Sequence, residues 1–139
     1  TMWMVRNPEW FDVVVTSNMF GDIVTDLGSV LQGGMGMAAS ANIGDNHALF
    51  EPVHGSSPKY AGQNKVNPIA TLNSVHMMIE WLGLRHNDEE ALRVASLIEL
   101  AISEHVEEGS CLTYDLGGSA STSDVGTMIA DRLSKMLQM

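Results

Sequence analysis

The chain has 139 residues, 45% of them hydrophobic, with a mean hydropathy near zero (+0.04), enough for one globular domain with a buried core. Acidic residues number 17 against 7 basic ones, giving a net charge of −10 and a pI near 4.6, which argues against nucleic acid or an anionic membrane as partner. Cys111 has no partner for an internal disulfide and fits a reducing compartment, no apolar run reaches membrane-spanning length, and the N-terminus carries no signal-peptide pattern.

In chain order, residues 2–6 read as a short helix end or turn limited by Pro8. Phe11 to Thr16, with Val13, Val14 and Val15, reads as a buried strand of a parallel sheet: short, β-branched and continuously apolar. Ser17 or Asn18 then caps a helix. Phe20, Ile23, Val24, Leu27, Val30 and Leu31 share one face of it, and Gly33-Gly34 ends it. Gly34, Gly36 and Ala39 fit a dinucleotide fingerprint on paper. That fingerprint needs a strand before it and a helix after it, and here a helix precedes and residues 38–42 look extended. Small residues at these positions point instead to close packing or a domain crossover. Residues 43–46 form a turn, and 47–53 a strand.

Asn67 and Pro68 open the next helix, with Ile69, Leu72, Val75, Ile79 and Leu82 inward and a stop at Gly83. Asp88 caps another, with Glu89 and Glu90 at the positive end of its dipole. Its stripe is Ala91, Val94, Ala95, Ile98, Ala101 and Ile102, ending at Gly109. A last helix starts at Ser121 or Thr122 and carries Val125, Met128, Ile129, Leu133, Met136 and Leu137. The methionines fall mostly at apolar helix positions, where core filling is their role.

Between strand and helix lies a long loop, Glu51 to Pro68. Gly55, Ser56 and Ser57 offer backbone N–H groups under little side-chain bulk. Lys59 and Lys65 add positive charge, and His54 and Tyr60 add flat faces. The set suits an anionic ligand with an aromatic ring, such as a nucleotide; an ordinary surface loop is the plain alternative. Asp22 and Asp26, four apart on a helix, place two carboxylates on one face. They are either a solvated acidic face or oxygen ligands for Mg²⁺ or Mn²⁺. The other histidines show no metal-ligand spacing, and Cys111 has no motif of a nucleophile.

Three stretches carry a resemblance. They are Asn18-Met19-Phe20-Gly21-Asp22-Ile23-Val24-Thr25-Asp26, the loop residues Glu51-Pro52-Val53-His54-Gly55-Ser56 with Pro58, Ala61-Gly62 and Asn67-Pro68, and Leu112-Thr113-Tyr114-Asp115-Leu116-Gly117-Gly118. In this order they resemble the β-decarboxylating dehydrogenases: isocitrate, isopropylmalate, homoisocitrate and tartrate/D-malate dehydrogenases. The resemblance implies an α/β, isopropylmalate-dehydrogenase-like fold of which this chain is the C-terminal portion. Residues 1–32 would be the tail of the substrate/dimer domain with its metal-binding helix, and 33–139 the C-terminal part of the coenzyme-binding domain. Exposed edges and apolar helix faces should then drive self-association.

By the same resemblance the full-length protein is a metal-dependent NAD(P) oxidative decarboxylase of a malate-type 2-hydroxy acid, foremost isocitrate or 3-isopropylmalate. It is expected to be a cytoplasmic homodimer, without nucleic-acid or membrane partners. Asp22 and Asp26 would help hold Mg²⁺ or Mn²⁺. Glu51, His54, Gly55, Ser56, Ser57, Lys59, Tyr60, Val66, Asn67, Tyr114 and Asp115 would line the coenzyme site, with Glu51 near the nicotinamide, His54 against the adenosine and Asn67 by the adenine. Lys59 and Tyr60, with Tyr114, match NADP-using members, so NADP is expected, with NAD as a lesser coenzyme. Gly118 stands where the NADP pattern has an arginine. The family's acid–base lysine and tyrosine are not in this portion, so the chain alone is expected to be inactive. The alternative is a non-catalytic nucleotide-binding, regulatory or assembly subunit related to the same family.

Overall fold

A computed structural model describes residues 1–138. Its elements in chain order are α1 (Met2–Arg6), α2 (Asn18–Ser29), β1 (Ala39–Ile43), β2 (Ala48–Pro52), α3 (Ile69–His86), α4 (Glu89–Glu108) and α5 (Thr122–Leu137). Four 3₁₀ turns join them, at Pro8–Trp10, Val30–Gln32, Pro58–Tyr60 and Tyr114–Leu116.

The three long helices begin where short polar side chains satisfy free N–H groups. Asn67 Oδ1 accepts from the Ile69 amide at 2.9 Å, although the helix is counted only from Ile69. Asp88 Oδ1 accepts from the Ala91 amide at 3.0 Å. Ser121 and Asp124 form a reciprocal capping box at α5. Gly109, at φ 66, closes α4 in the left-handed conformation that glycine adopts without strain.

The expected stop at Gly83 does not occur. Helix α3 runs on to His86 and ends at Asn87, with φ 52. Gly83 is there for packing: a Cβ would lie 2.8 Å from Leu92 Cδ2, at the start of α4. The missing side chain lets the second helix turn back tightly against the first.

Ile69, Ile98, Ala101, Ile102, Val125 and Ile129 form the core where α3, α4 and α5 meet. Leu72 and Ile79 pack against it as expected, whereas Val75 and Leu82 stay partly exposed. β1 and β2 form an antiparallel hairpin with Ala41 opposite Phe50, and Phe50 meets Trp81 of α3 at a centroid distance of 6.1 Å. The main chain before β1 is tied to the same helix, since the Gly36 carbonyl accepts from the Ala70 amide at 2.9 Å.

Phe11 to Thr16 forms no strand. It is an extended segment without regular structure, with Val13 84% and Val15 93% exposed. A parallel strand draws its hydrogen bonds from neighbours remote in sequence, and none lies beside it among the described residues. The apolar stripe of α2 is likewise uncovered: Phe20 is 58% and Val30 70% exposed. Exposed apolar faces are therefore present as the sequence led us to expect.

Candidate functional site

The loop between β2 and α3 is shaped by four left-handed residues. Gly55 has φ 63 and Gly62 φ 74, and the non-glycine Ser57 and Asn64 have φ 44 and 50. Such conformations are uncommon outside glycine and persist where surrounding contacts fix them. At Asn64 the start of α5 does so. Asn64 Nδ2 donates to Ser123 Oγ at 2.8 Å, and its Oδ1 accepts from the Ser123 amide at 3.0 Å. The Asn64 carbonyl accepts from the Thr122 amide, and the Thr122 hydroxyl donates to the Val66 carbonyl.

Three clefts open around this loop. The first, about 240 Å³, has His54, Ser57, Tyr60 and Val66 from the loop, Asn67 at the head of α3, and Tyr114 and Asp115 from the third motif. Met35 and Gly36 close its other side. His54 Nδ1 donates to the Gly55 carbonyl at 2.7 Å, which leaves Nε2 as an acceptor. That Nε2 is buried and has no partner. An orphaned acceptor of this kind fits a ligand N–H or O–H.

A second cleft, about 300 Å³, lies where α2 faces the hairpin. Asp22, Thr25 and Asp26 line one side, and Ser40, Glu51 and Gly55 the other. The Asp22 and Asp26 side chains are exposed, and only the Asn18 carboxamide approaches one of them, at 3.5 Å from Asp22. Their free oxygens are the hard donors that Mg²⁺ or Mn²⁺ takes. Among the described residues no group of three or more His, Cys, Asp or Glu is placed to hold a metal without further ligands. A third cleft, about 230 Å³, has Ser56, Ser57, Tyr60, Lys65 and Val66 on its walls, with Thr122 of α5.

Lys59 stands on the rim, its Nζ 5.5 Å from the Tyr60 ring. Tyr60 and Tyr114 face each other with ring centroids 6.2 Å apart. The Tyr114 phenol is held above its ordinary range, first by hydrogen bonding with Tyr60, then by desolvation and the negative charge of Asp115. Every candidate coenzyme residue thus lies on a cleft wall or its rim, and the two candidate metal ligands lie across from Glu51. Sequence reasoning gave Lys65 a charge in the loop but no place in the coenzyme site, and missed the parts played by Met35, Gly36 and Thr122. Gly36 carried a signal only as a small residue: a Cβ there would lie 2.5 Å from Asp115 Oδ2, so the fingerprint-like glycine serves packing and not a phosphate turn.

The isocitrate/isopropylmalate dehydrogenase family model matches residues 1–129. The 3-isopropylmalate dehydrogenase of Sulfurisphaera tokodaii is 46% identical over 94% of this chain and 39% of its own length. The NADP isocitrate dehydrogenase of Thermus thermophilus is 47% identical over 95% of this chain and 26% of its own. The crystal structure of isocitrate dehydrogenase from Methylococcus capsulatus superposes with a TM-score of 0.84 at 42% identity, covering 95% of this chain and 38% of that one. The chain spans well under half the length of these relatives. The α/β, isopropylmalate-dehydrogenase-like fold is theirs, and the chain belongs to the isocitrate/isopropylmalate dehydrogenase family.

Proposed function

We propose that this chain carries the coenzyme cleft and part of the metal site of a metal-dependent oxidative decarboxylase of malate-type 2-hydroxy acids, isocitrate or 3-isopropylmalate foremost. The observation that carries it is the arrangement around the start of the loop. Asp22, Asp26 and Glu51 line one cleft, His54, Asn67, Tyr114 and Asp115 line another, and four residues of one strand-to-loop turn separate Glu51 from Ser56.

Asp22 and Asp26 would supply carboxylate ligands to Mg²⁺ or Mn²⁺. When bound, the metal would supply Lewis-acid polarisation of the substrate's oxygen, and the nicotinamide coenzyme would supply a hydride acceptor. The chain's own residues bind and orient. His54 Nε2 accepts from the adenosine part of the coenzyme, Asn67 borders the adenine, and Glu51 stands at the nicotinamide end, nearest the aspartates. Gly55, Ser56 and Ser57 leave room for the coenzyme backbone. Lys59 and Tyr60 bear on the adenosine ribose, and their charge and hydroxyl favour NADP over NAD. Residues 1–32 belong to the substrate/dimer domain, and the bare faces of α2 and residues 11–16 are covered by the rest of the longer polypeptide and its homodimer partner.

The test is product stoichiometry in the longer protein. CO₂ and NAD(P)H should appear in equal amounts from isocitrate or 3-isopropylmalate with Mn²⁺ present, while the 139-residue chain alone yields none. The reading is overturned if the longer protein turns over no malate-type acid.

A further inference from the structure

We infer that Lys65 is a specificity-determining residue of the coenzyme cleft, its ammonium serving with Lys59 as the second cation for a phosphate on the adenosine ribose. The inference rests on the coenzyme reading above and extends it to a residue outside the expected site. Lys65 Nζ lies 4.5 Å from the Tyr114 ring centroid and 5.8 Å from that of Tyr60. Lys59 Nζ lies 5.5 Å from Tyr60. The tyrosine pair therefore has two ammonium groups against its rings.

Charge singles out this rim. The chain carries a net charge of −10, and its lysines are Lys59, Lys65 and Lys135. Two of the three meet here. Arg93 and Arg132 are neutralised by Glu90, Glu104 and Glu108. Neither Lys59 nor Lys65 enters an ion pair among the described residues. Arg6 and Arg85, also outside these ion pairs, stack singly on Trp3 and Trp81, so the rim is where two unpaired cations share one aromatic pair and make a local field that attracts an anion.

Position reinforces charge. Lys65 sits between Asn64 and Val66, both fastened to the start of α5 through Ser123 and Thr122. Its backbone is fixed on both flanks, although its own side chain is exposed. The wall behind Tyr114 has no room for a cation, because a Cβ at Gly118 would run into the Leu112 carbonyl. Lys65, with its Nζ over the Tyr114 ring, can supply the cation that Gly118 cannot.

The experiment is calorimetric titration of the longer protein with adenosine 2′,5′-bisphosphate and with 5′-AMP, which differ by the ribose 2′-phosphate. Lys65→Met should lower bisphosphate affinity about tenfold and leave AMP affinity unchanged, and Lys65→Arg should stay near wild type. The salt dependence of bisphosphate binding should weaken in Lys65→Met. Equal losses for both ligands would assign the ammonium to the shared 5′-phosphate and overturn the inference. So would unchanged affinities, or a wild type that binds the bisphosphate no tighter than AMP. A wild type that binds neither nucleotide would remove the coenzyme reading itself, and this inference with it.

Discussion

The Asn67 carboxamide donates to Asp115 Oδ2 across 3.0 Å while its oxygen caps α3 through the Ile69 amide at 2.9 Å. Asp115 Oδ1 in turn accepts from the Thr113 hydroxyl at 2.6 Å. One side chain, 5% exposed, thus joins the loop after β2, the first turn of α3 and the third motif, 48 residues downstream.

Asn67→Ala should therefore destabilise the fold as well as weaken nucleotide binding. It removes a cap and takes one donor from the exposed Asp115 carboxylate, a loss of about 1 kcal/mol. Asn67→Asp should do at least as much harm, because it sets a second carboxylate against Asp115. Urea unfolding midpoints of the two variants check this. Midpoints equal to wild type would confine Asn67 to ligand contact.

Much of this arrangement is legible before folding is considered. Asn67, Asp88 and Ser121 announce three helix starts because capping is local chemistry. Gly33 and Gly109 announce stops for the same reason. Gly83 misleads, since its role is set by Leu92, which reaches it only after α4 folds back. Phe11 to Thr16 misleads more fully: its β-branched pattern is right for a strand, but a strand exists only beside another. The clefts follow the same division. The loop's glycines, serines and lysines advertise a binding surface, whereas Thr122 becomes visible only once Asn64 is seen clamped to α5.

The capping box at the start of α5 has a pH dependence. The Asp124 carboxyl is held below the usual aspartate range by the Ser121 hydroxyl and then by the Ser121 amide. A depressed folded value means stability that is complete above the unfolded value and lost as pH falls through the folded one. The stability difference between wild type and Asp124→Asn should be constant near neutrality and close as pH falls below about 4. Thermal unfolding across pH 3–7 reads it. A gap that persists at the acid end would show that the carboxylate's charge is not what the capping box uses.

In the longer protein, Asp22→Asn and Asp26→Asn should each raise the Mn²⁺ concentration needed for half-maximal turnover, by about tenfold or more, the loss of a charged ligand. Nucleotide affinity should hold, because the His54 cleft is lined by neither aspartate. Mn²⁺ titration by its electron paramagnetic resonance signal gives a readout independent of activity. If both variants keep wild-type Mn²⁺ affinity, the pair is a solvated acidic face.

The coenzyme itself supplies the sharpest test. NADP and NAD differ by one phosphate on the adenosine ribose, and a site for NAD offers that ribose a carboxylate where a site for NADP must offer donors or positive charge. Lys59 and Tyr60 occupy one short 3₁₀ turn, Pro58–Tyr60, which brings ammonium and phenol to the same rim. Tyr60 also lines the cleft that holds His54 and Asn67. The full-length enzyme should therefore prefer NADP. The preference should be partial, because Gly118 has no room for the arginine of the NADP pattern and an exposed, flexible Lys65 replaces a fixed guanidinium incompletely. Lys59→Asp with Tyr60→Ile replaces attraction by repulsion and removes a donor. The ratio of kcat/KM for NADP over NAD should fall by roughly ten- to a hundredfold, the worth of one charge-assisted hydrogen bond. Most of the change should appear as a higher KM for NADP, since the phosphate is remote from the reacting carbon and binds equally in ground and transition states. A wild type that prefers NAD, or a double variant whose ratio does not move, would rule out this role for the Lys59–Tyr60 rim.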